Sequence, residues 1–195
     1  MQIVKYRRQL PQFRLVESFF SKEEVEKIID LEELQNFTKG AVGEDSSPNL
    51  NSKVRDSDIS WLHPSKESEW LFFKFHNLVG DVNHDVFMYD IDGFESFQYT
   101  KYKNNQHYSW HFDSYTQYTT WERRISAVII LTDPNKYEGG ELQVVTNGNI
   151  EAPMTFKPPA GSVVFFASWM PHRVVPVQKG VRKSLVAWIM GRRVC

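Results

Sequence analysis

The feature that most constrains the fold is a change of apolar periodicity near Asp92. Before it, apolar residues recur at intervals of three and four in two segments, 22–36 and 67–86, which predicts two helices. After it, the chain consists of short stretches rich in β-branched and aromatic residues, separated by turn-forming residues. Helices followed by a run of strands favour helices on one face of an antiparallel sandwich or barrel.

The second half of the chain contains the predicted strands. They cover residues 96–102, 108–113, 124–131, 142–145, 162–166, 172–177 and 182–190. Between the two helices, residues 39–60 are rich in Gly, Ser, Asn and Asp, which predicts a long mobile loop. We therefore expect a single domain over 1–195, with helical support and the loop in 1–92 and a β core in 93–195.

Composition narrows the classes of function. The chain has 23 basic and 24 acidic residues without a long basic block, so we expect no nucleic-acid partner. The only cysteine is Cys195, which excludes an intramolecular disulfide and a thiolate metal cluster and is typical of a reducing compartment. No signal peptide and no run of about 18 apolar residues is present, so we expect no membrane partner and a cytoplasmic location.

A His-x-Asp triplet, His111 to Asp113, lies within a predicted strand. Side chains two residues apart in a strand project to the same face, so the imidazole and the carboxylate can converge on one ion, while Phe112 points into packing on the other face. A surface ion pair is the alternative for the triplet alone. His172 adds a second imidazole, and two His with one Asp form the facial triad of non-haem Fe(II) oxygenases, which leaves coordination positions open.

Arg182 is the candidate anchor for an anionic co-substrate. A 2-oxo dicarboxylate that chelates the metal leaves its distal carboxylate to be neutralised, and the planar fork of an arginine suits that task. The segment 172–188 predicts a hairpin with its turn at residues 179–180. One face of the returning strand then carries Arg182, Ser184, Val186 and Trp188. This face can border the same cavity as His172, although a core histidine and a solvated arginine are the alternatives.

From residue 99 to 191, the sequence resembles the 2-oxoglutarate/Fe(II)-dependent dioxygenase superfamily, specifically the prolyl 4-hydroxylase-like (PKHD-type) hydroxylases. The resemblance implies a mainly β fold with flanking helices, in which a double-stranded β-helix (jelly-roll) core has the N-terminal helices packed on one face. It implies hydroxylation of an unactivated C–H bond by an enzyme that binds Fe(II) as cofactor. 2-Oxoglutarate and O2 are the implied co-substrates, succinate and CO2 the implied co-products, and ascorbate a candidate reductant. The substrate it implies is a peptidyl proline, as in procollagen-proline dioxygenases.

The resemblance also assigns roles to individual residues. The implied iron ligands and catalytic residues are His111, Asp113 and His172. The implied 2-oxoglutarate residues are Tyr102, Arg182 and Ser184, and the implied substrate-side residues are Tyr108, Arg124 and Trp188. The Gly139-Gly140-Glu141 segment resembles a turn of the family, for which a plain hairpin turn is the alternative. Residues 39–60 and 114–122 are candidate lids.

One departure limits the transfer of specificity, because animal collagen enzymes have lysine where this chain has Arg182. Several functions therefore stay open. The same chemistry could act on a free amino acid or another small metabolite, or on a nucleic acid, as in demethylases of the superfamily. A zinc hydrolase would use the same ligand types, and a non-catalytic jelly-roll binding module would use none of them. The sequence does not indicate an oligomeric state.

Overall fold

A computed structural model describes residues 13–33, 37–41, 50–114 and 121–192. The helices are α1 (Lys22–Glu33) and α2 (Glu69–Val82), and α2 continues into a π-helical turn, Asn83–Phe87. The strands are β1 (Phe13–Val16), β2 (Thr38–Lys39), β3 (Arg55–Asp56), β4 (Asp58–Leu62), β5 (Ile91–Phe94), β6 (Phe97–Lys103), β7 (His107–His111), β8 (Trp121–Ile130), β9 (Tyr137–Gly139), β10 (Leu142–Val144), β11 (Met154–Phe156), β12 (Val163–Ala167), β13 (His172–Val174) and β14 (Val177–Arg192). A short 3-10 turn, Pro134–Lys136, precedes β9.

The strands form two antiparallel sheets that face each other. The major sheet has the order β1-β12-β8-β14-β6-β4-β2, with β5 and β9 also paired to β14. The minor sheet has the order β11-β10-β13-β7-β3. Together with the two N-terminal helices, this confirms the predicted jelly-roll fold with flanking helices.

Both helices form where the sequence predicts them. The capping box at the start of α1 is present, since Ser21 N–H donates to Glu24 Oε2 (2.8 Å) and Glu24 N–H donates to Ser21 Oγ (3.3 Å). Helix α2 packs its apolar stripe on the outer face of the major sheet, where the Phe75 ring lies 5.1 Å from Phe97 and 6.1 Å from Phe165. The main hydrophobic core therefore lies between the helices and the major sheet. Neither described helix is long and apolar enough to cross a bilayer.

Alternation along the major-sheet strands separates this core from a cavity on the inner face. On β6, Phe97 and Tyr99 belong to the core, whereas Gln98, Thr100 and Tyr102 line the cavity. On β14, Leu185, Ala187 and Ile189 belong to the core, whereas Arg182, Ser184, Val186 and Trp188 line the cavity. The structure thus confirms the prediction that these four residues share one face of β14, because side chains alternate along a regular strand.

The segment 39–60 is not one loop. Residues 42–49 lie outside the described part, but β3 and β4 follow, and β4 pairs with β6 over Asp58–Leu62. The strand signal is hidden because the buried residues here include polar ones, Arg55, Ser57 and Ser60. The strands β1, β2, β5, β9 and β11 were likewise not predicted.

The predicted hairpin over 172–188 is wrong. Residues 179–180 continue β14, where Gly180 pairs with Tyr137, and β13 and β14 lie in opposite sheets. The prediction that Phe112 points into packing is also wrong, because its side chain is 58% exposed.

Candidate active site

His111, Asp113 and His172 converge at one end of the cavity. Their candidate ligand atoms all lie within 4.8 Å of one another. The His172 Nε2 atom is 3.3 Å from Asp113 Oδ2, and the His111 Nε2 atom is 3.6 Å from Asp113 Oδ1. Two imidazole nitrogens and one carboxylate directed at a common point are suited to a divalent transition metal.

The backbone orients both imidazoles for this purpose. The Nδ1 atom of His111 lies 2.8 Å from the Ser109 carbonyl oxygen, and that of His172 lies 2.9 Å from the Met170 carbonyl oxygen. A carbonyl oxygen only accepts hydrogen bonds, so each Nδ1 must carry a proton and donate it. Each Nε2 lone pair can then face a metal, and the carbonyl contact fixes the ring orientation.

Asp113 is buried and held as a carboxylate. Burial by itself would raise its pKa, but the neighbouring His172 and His111 and a hydrogen bond from Ser126 hold the pKa well below its usual range. Ser126 Oγ donates to Asp113 Oδ2 at 2.7 Å and contacts Ser168 Oγ at 2.9 Å. The backbone N–H of Asp113 donates to the Ser168 carbonyl oxygen (2.9 Å), which fixes the position of the carboxylate.

The pKa values of the two histidines shift in opposite directions. Burial lowers the pKa of His111 to about 3, and the nearby His172 acts in the same direction. Burial also lowers the pKa of His172, but the charge and hydrogen bond of Asp113 outweigh it and raise that pKa. Metal binding at this position requires the unprotonated form of each imidazole and of the carboxylate.

Strand pairing brings the triad together. His111 on β7 is directly opposite His172 on β13, and their ring centroids are 4.1 Å apart. The register shifts between His172 and Val174, which pairs with Tyr108. Tyr108 and His111 are three residues apart, and this bulge places them on the same side of the strand. Their rings stack with centroids 3.5 Å apart.

Arg182 lies across the cavity, on the major sheet. It is paired in register with Tyr102, and its side chain is only 1% exposed. Its Nη1 donates to Ser184 Oγ at 3.0 Å, while Nη2 is buried without a hydrogen-bond acceptor among the described residues. The guanidinium lies 5.6 Å from the Tyr102 ring, and burial raises the pKa of the Tyr102 hydroxyl.

The cavity between the triad and Arg182 has a volume of about 340 Å³. Two further polar atoms on its wall, Thr100 Oγ1 and Trp188 Nε1, are buried without a partner in the described chain. An unsatisfied buried guanidinium nitrogen is costly unless a ligand accepts from it. The arrangement therefore fits a metal at one end and a dicarboxylate whose far end reaches Arg182.

The predicted substrate-side residues are placed differently from one another. Tyr108 and Trp188 line the cavity. The Trp188 ring lies 6.1 Å from the Trp61 ring and 3.9 Å from the guanidinium of Arg123. Arg123 also forms a bidentate pair with Glu95 at 2.7 and 2.8 Å.

The structure does not bring Arg124 into the cavity. Its guanidinium pairs with Glu122 and lies over the Tyr89 ring at 4.6 Å. The register of β8 and β14 shifts between Ile189 and Met190, so that Arg123 faces the cavity in its place. A bulge reverses the alternation that a regular strand would have.

Sequence reasoning missed several cavity and support residues. They are Arg55, Trp61, Gln98, Thr100, Ser126 and Ser168. Ser126 could have been found from the alternation of β8, since it shares a face with Val128. Arg55 carries no such signal, because its burial depends on which strands β3 and β4 pair with. Of the predicted lids, residues 115–120 and 42–49 lie outside the described residues.

Known proteins share this core. The sequence profile of the 2OG-Fe(II) oxygenase superfamily matches residues 97–190. The PKHD-type hydroxylase YbiX of Escherichia coli O6:K15:H31 is 36% identical over 95 residues, which are 47% of this chain and 41% of that protein. The chain thus matches less than half of the length of this relative.

Solved structures match nearly the whole chain. A Pseudomonas putida prolyl-4-hydroxylase is similar with a TM-score of 0.70 and 21% identity, covering 93% of this chain and 94% of the other. A Trichoplax adhaerens prolyl hydroxylase, solved with a hypoxia inducible factor oxygen degradation domain peptide fragment, is similar with a TM-score of 0.75 and 18% identity, covering 92% and 83%. At these identities the likeness shows a common fold.

Proposed function

We propose that this chain, whose residues 97–190 match the sequence profile of the 2OG-Fe(II) oxygenase superfamily, is an Fe(II)- and 2-oxoglutarate-dependent hydroxylase. The observation that carries the proposal is the pairing of two features across one cavity. One is the His111, Asp113 and His172 group, and the other is Arg182 with an unsatisfied buried nitrogen. A hydrolytic metal site would explain the first feature but gives no role to the second.

Each residue then has a defined task. The Nε2 atoms of both histidines and the Asp113 carboxylate would hold Fe(II), and Ser126 keeps that carboxylate oriented. Arg182 would bind the distal carboxylate of 2-oxoglutarate, with Ser184 fixing the guanidinium and Tyr102 closing the wall beside it. When bound, Fe(II), O2 and 2-oxoglutarate supply the oxidant for C–H hydroxylation, with succinate and CO2 as co-products.

For the substrate, we propose a peptidyl proline. The cavity wall nearest the metal ligands is aromatic, with Tyr108 stacked on His111 and Trp188 flanked by Trp61. A flat aromatic wall suits the rigid ring of proline in an extended peptide. Both structural relatives named above are prolyl hydroxylases, and one was solved with a peptide.

The test is a coupled assay. Purified protein would be incubated with Fe(II), 2-oxoglutarate, ascorbate and air, together with a panel of proline-containing peptides. We expect succinate to form only when iron and oxygen are both present, and one oxygen atom to be added to a proline ring, as measured by mass spectrometry. The matched control is the same mixture without oxygen.

Two negative results have different meanings. If 2-oxoglutarate neither binds nor turns over in the presence of iron, the hydroxylase proposal is wrong. If succinate forms but only a free amino acid or another small metabolite gains oxygen, the reaction type holds and the peptidyl-proline substrate is wrong.

A further inference from the structure

A second buried guanidinium, that of Arg55, lines the same cavity and has no role in the chemistry above. Arg55 is only 9% exposed. Its Nε donates to Ser57 Oγ (3.0 Å), its Nη1 to the Ala41 carbonyl oxygen (3.3 Å) and its Nη2 to Gln98 Oε1 (2.7 Å). All three acceptors are neutral, so the described residues hydrogen-bonded to Arg55 supply no counter-charge.

The surroundings of Arg55 form a built socket. An added Cβ at Gly40 would lie 2.6 Å from Arg55 Nε and 2.4 Å from Ser57 Oγ, so a larger residue there would displace the guanidinium. Gly40 N–H donates to the Ser57 carbonyl oxygen (2.9 Å), which holds the two segments together. A guanidinium has five N–H donors, and after the three bonds above no described residue accepts from the other two.

Arg55 is also close to the metal ligands. Its guanidinium carbon lies 4.7 Å from the centroid of the Tyr108 ring, and Tyr108 stacks on His111 at 3.5 Å. A single aromatic ring therefore links Arg55 to the triad. A group bound at Arg55 would lie beside the region where the oxidised C–H bond must be.

Among the described residues, the charges that line the cavity leave this guanidinium uncompensated. If the proposed function holds, the divalent metal, Asp113, doubly charged 2-oxoglutarate and Arg182 are together neutral. Arg123 is neutralised by Glu95. Lys39 also lines the cavity, and its ammonium pairs with Asp56 (3.1 Å) and Asp58 (2.9 Å). Lys103 lies 3.7 Å from Asp58 as well, so two lysines balance these two aspartates. A buried charge without a partner is strongly unfavourable, and a charged ligand group would supply that partner.

We infer that Arg55 forms a subsite for a carboxylate of the primary substrate. This inference rests on the proposed function. The carboxylate could be an acidic side chain next to the target proline or the terminal carboxylate of a peptide. Both would engage the free N–H groups of the guanidinium in the same way, so the test must separate them.

The test measures binding without turnover. Protein loaded with Mn(II) in place of Fe(II) is first titrated with 2-oxoglutarate by calorimetry. It is then saturated with 2-oxoglutarate and titrated with three peptides: Ac-Ala-Gln-Pro-Ala-NH2, the same peptide with Glu for Gln, and the same peptide with a free terminal carboxylate. We expect the affinity for one of the two carboxylate peptides to exceed the affinity for the neutral peptide by a factor of about ten or more.

Arg55→Gln should bring the three affinities within about twofold of one another, and Arg55→Lys should keep an intermediate preference. Arg173→Gln is the matched control. Arg173 also donates to a glutamine oxygen at 2.7 Å (Gln143) and lies 4.6 Å from an aromatic ring (Trp110), but it is outside the cavity. This variant should keep the wild-type preference.

Several results would overturn the subsite. The first is that wild-type protein binds the three peptides with equal affinity or binds none of them. The second is a preference for a carboxylate peptide that survives Arg55→Gln. The third is a loss of 2-oxoglutarate affinity in Arg55→Gln that accounts for the change in peptide binding. Failure of the first titration, the one with 2-oxoglutarate, would instead defeat the proposed function and the subsite with it.

Discussion

Replacing Gly140 by alanine tests whether the glycine turn before β10 positions Arg182. Gly140 has a φ of +68°, and an added Cβ would lie 2.9 Å from Val177 Cγ2, 3.1 Å from Arg182 Cδ and 3.2 Å from Tyr137 Cε2. All three distances are shorter than ordinary van der Waals contact. The new methyl group must therefore displace the stem of Arg182 or one of its neighbours.

The expected loss of stability has two parts. The left-handed backbone costs an L-residue about 1–2 kcal/mol, and overpacking a dense site costs about 1–3 kcal/mol. Gly148→Ala is the matched control, because Gly148 has a φ of +75° but no heavy atom within 4 Å of the added Cβ. Gly148→Ala should show only the backbone part.

The assay compares both variants with wild type. Urea unfolding gives the free energy of unfolding, and titration of the Mn(II)-loaded protein gives the 2-oxoglutarate affinity. We expect Gly140→Ala to lose about 1–3 kcal/mol more stability than Gly148→Ala. We also expect it to bind 2-oxoglutarate about tenfold more weakly, since a small displacement of a buried guanidinium breaks its fork geometry.

Equal losses of stability in the two variants, with unchanged 2-oxoglutarate affinity, would refute this reasoning. The turn at Gly139 and Gly140 would then be an ordinary connection between β9 and β10 without influence on Arg182.

Three further predictions concern the remaining parts of the site. Asp113→Ala should abolish iron-dependent succinate formation with the circular dichroism spectrum retained, because the main core lies on the other face of the major sheet; substantial turnover would contradict the triad. Ser126→Ala should weaken metal affinity about tenfold by removing the 2.7 Å bond to Asp113, and an unchanged affinity in a Mn(II) titration would count against it. Arg182→Ala should cost about 2–5 kcal/mol of 2-oxoglutarate binding, with a smaller loss for Arg182→Lys. If Lys183→Ala had the larger effect in the same titration, the face assigned to β14 would be wrong.

The faces of individual strands could be predicted from the sequence. His111 and Asp113 lie two residues apart and do converge, and Arg182, Ser184, Val186 and Trp188 do line one cavity. The prediction for β14 holds because alternation is a local property of an extended chain and needs no knowledge of its partners. The strand predicted over 108–113 ends at His111, so Asp113 reaches the candidate metal position from the bend after β7, where its backbone N–H donates to the Ser168 carbonyl oxygen. The order of helices and strands favoured helices on one face of an antiparallel sandwich or barrel, and the resemblance to the dioxygenase superfamily narrowed this expectation to a jelly roll.

Local alternation fails where a strand contains a bulge. The bulge between β7 and β13 turns Tyr108 toward the same side as His111. The bulge between β8 and β14 turns Arg123, and not Arg124, toward the cavity. The position of a bulge depends on the register between two paired strands, and residues on the partner strand decide that register. A single segment of sequence therefore does not reveal it.

The assembly of the site was decided by tertiary structure alone. His172 and Arg182 are close in sequence, yet they reach the cavity from opposite sheets and not from one hairpin. Arg55 lies in a polar stretch that resembles a loop, and it becomes a cavity residue only because β3 pairs with β7 while β4 pairs with β6. Burial of a charged side chain depends on which distant strands enclose it, and this information is spread over the whole chain.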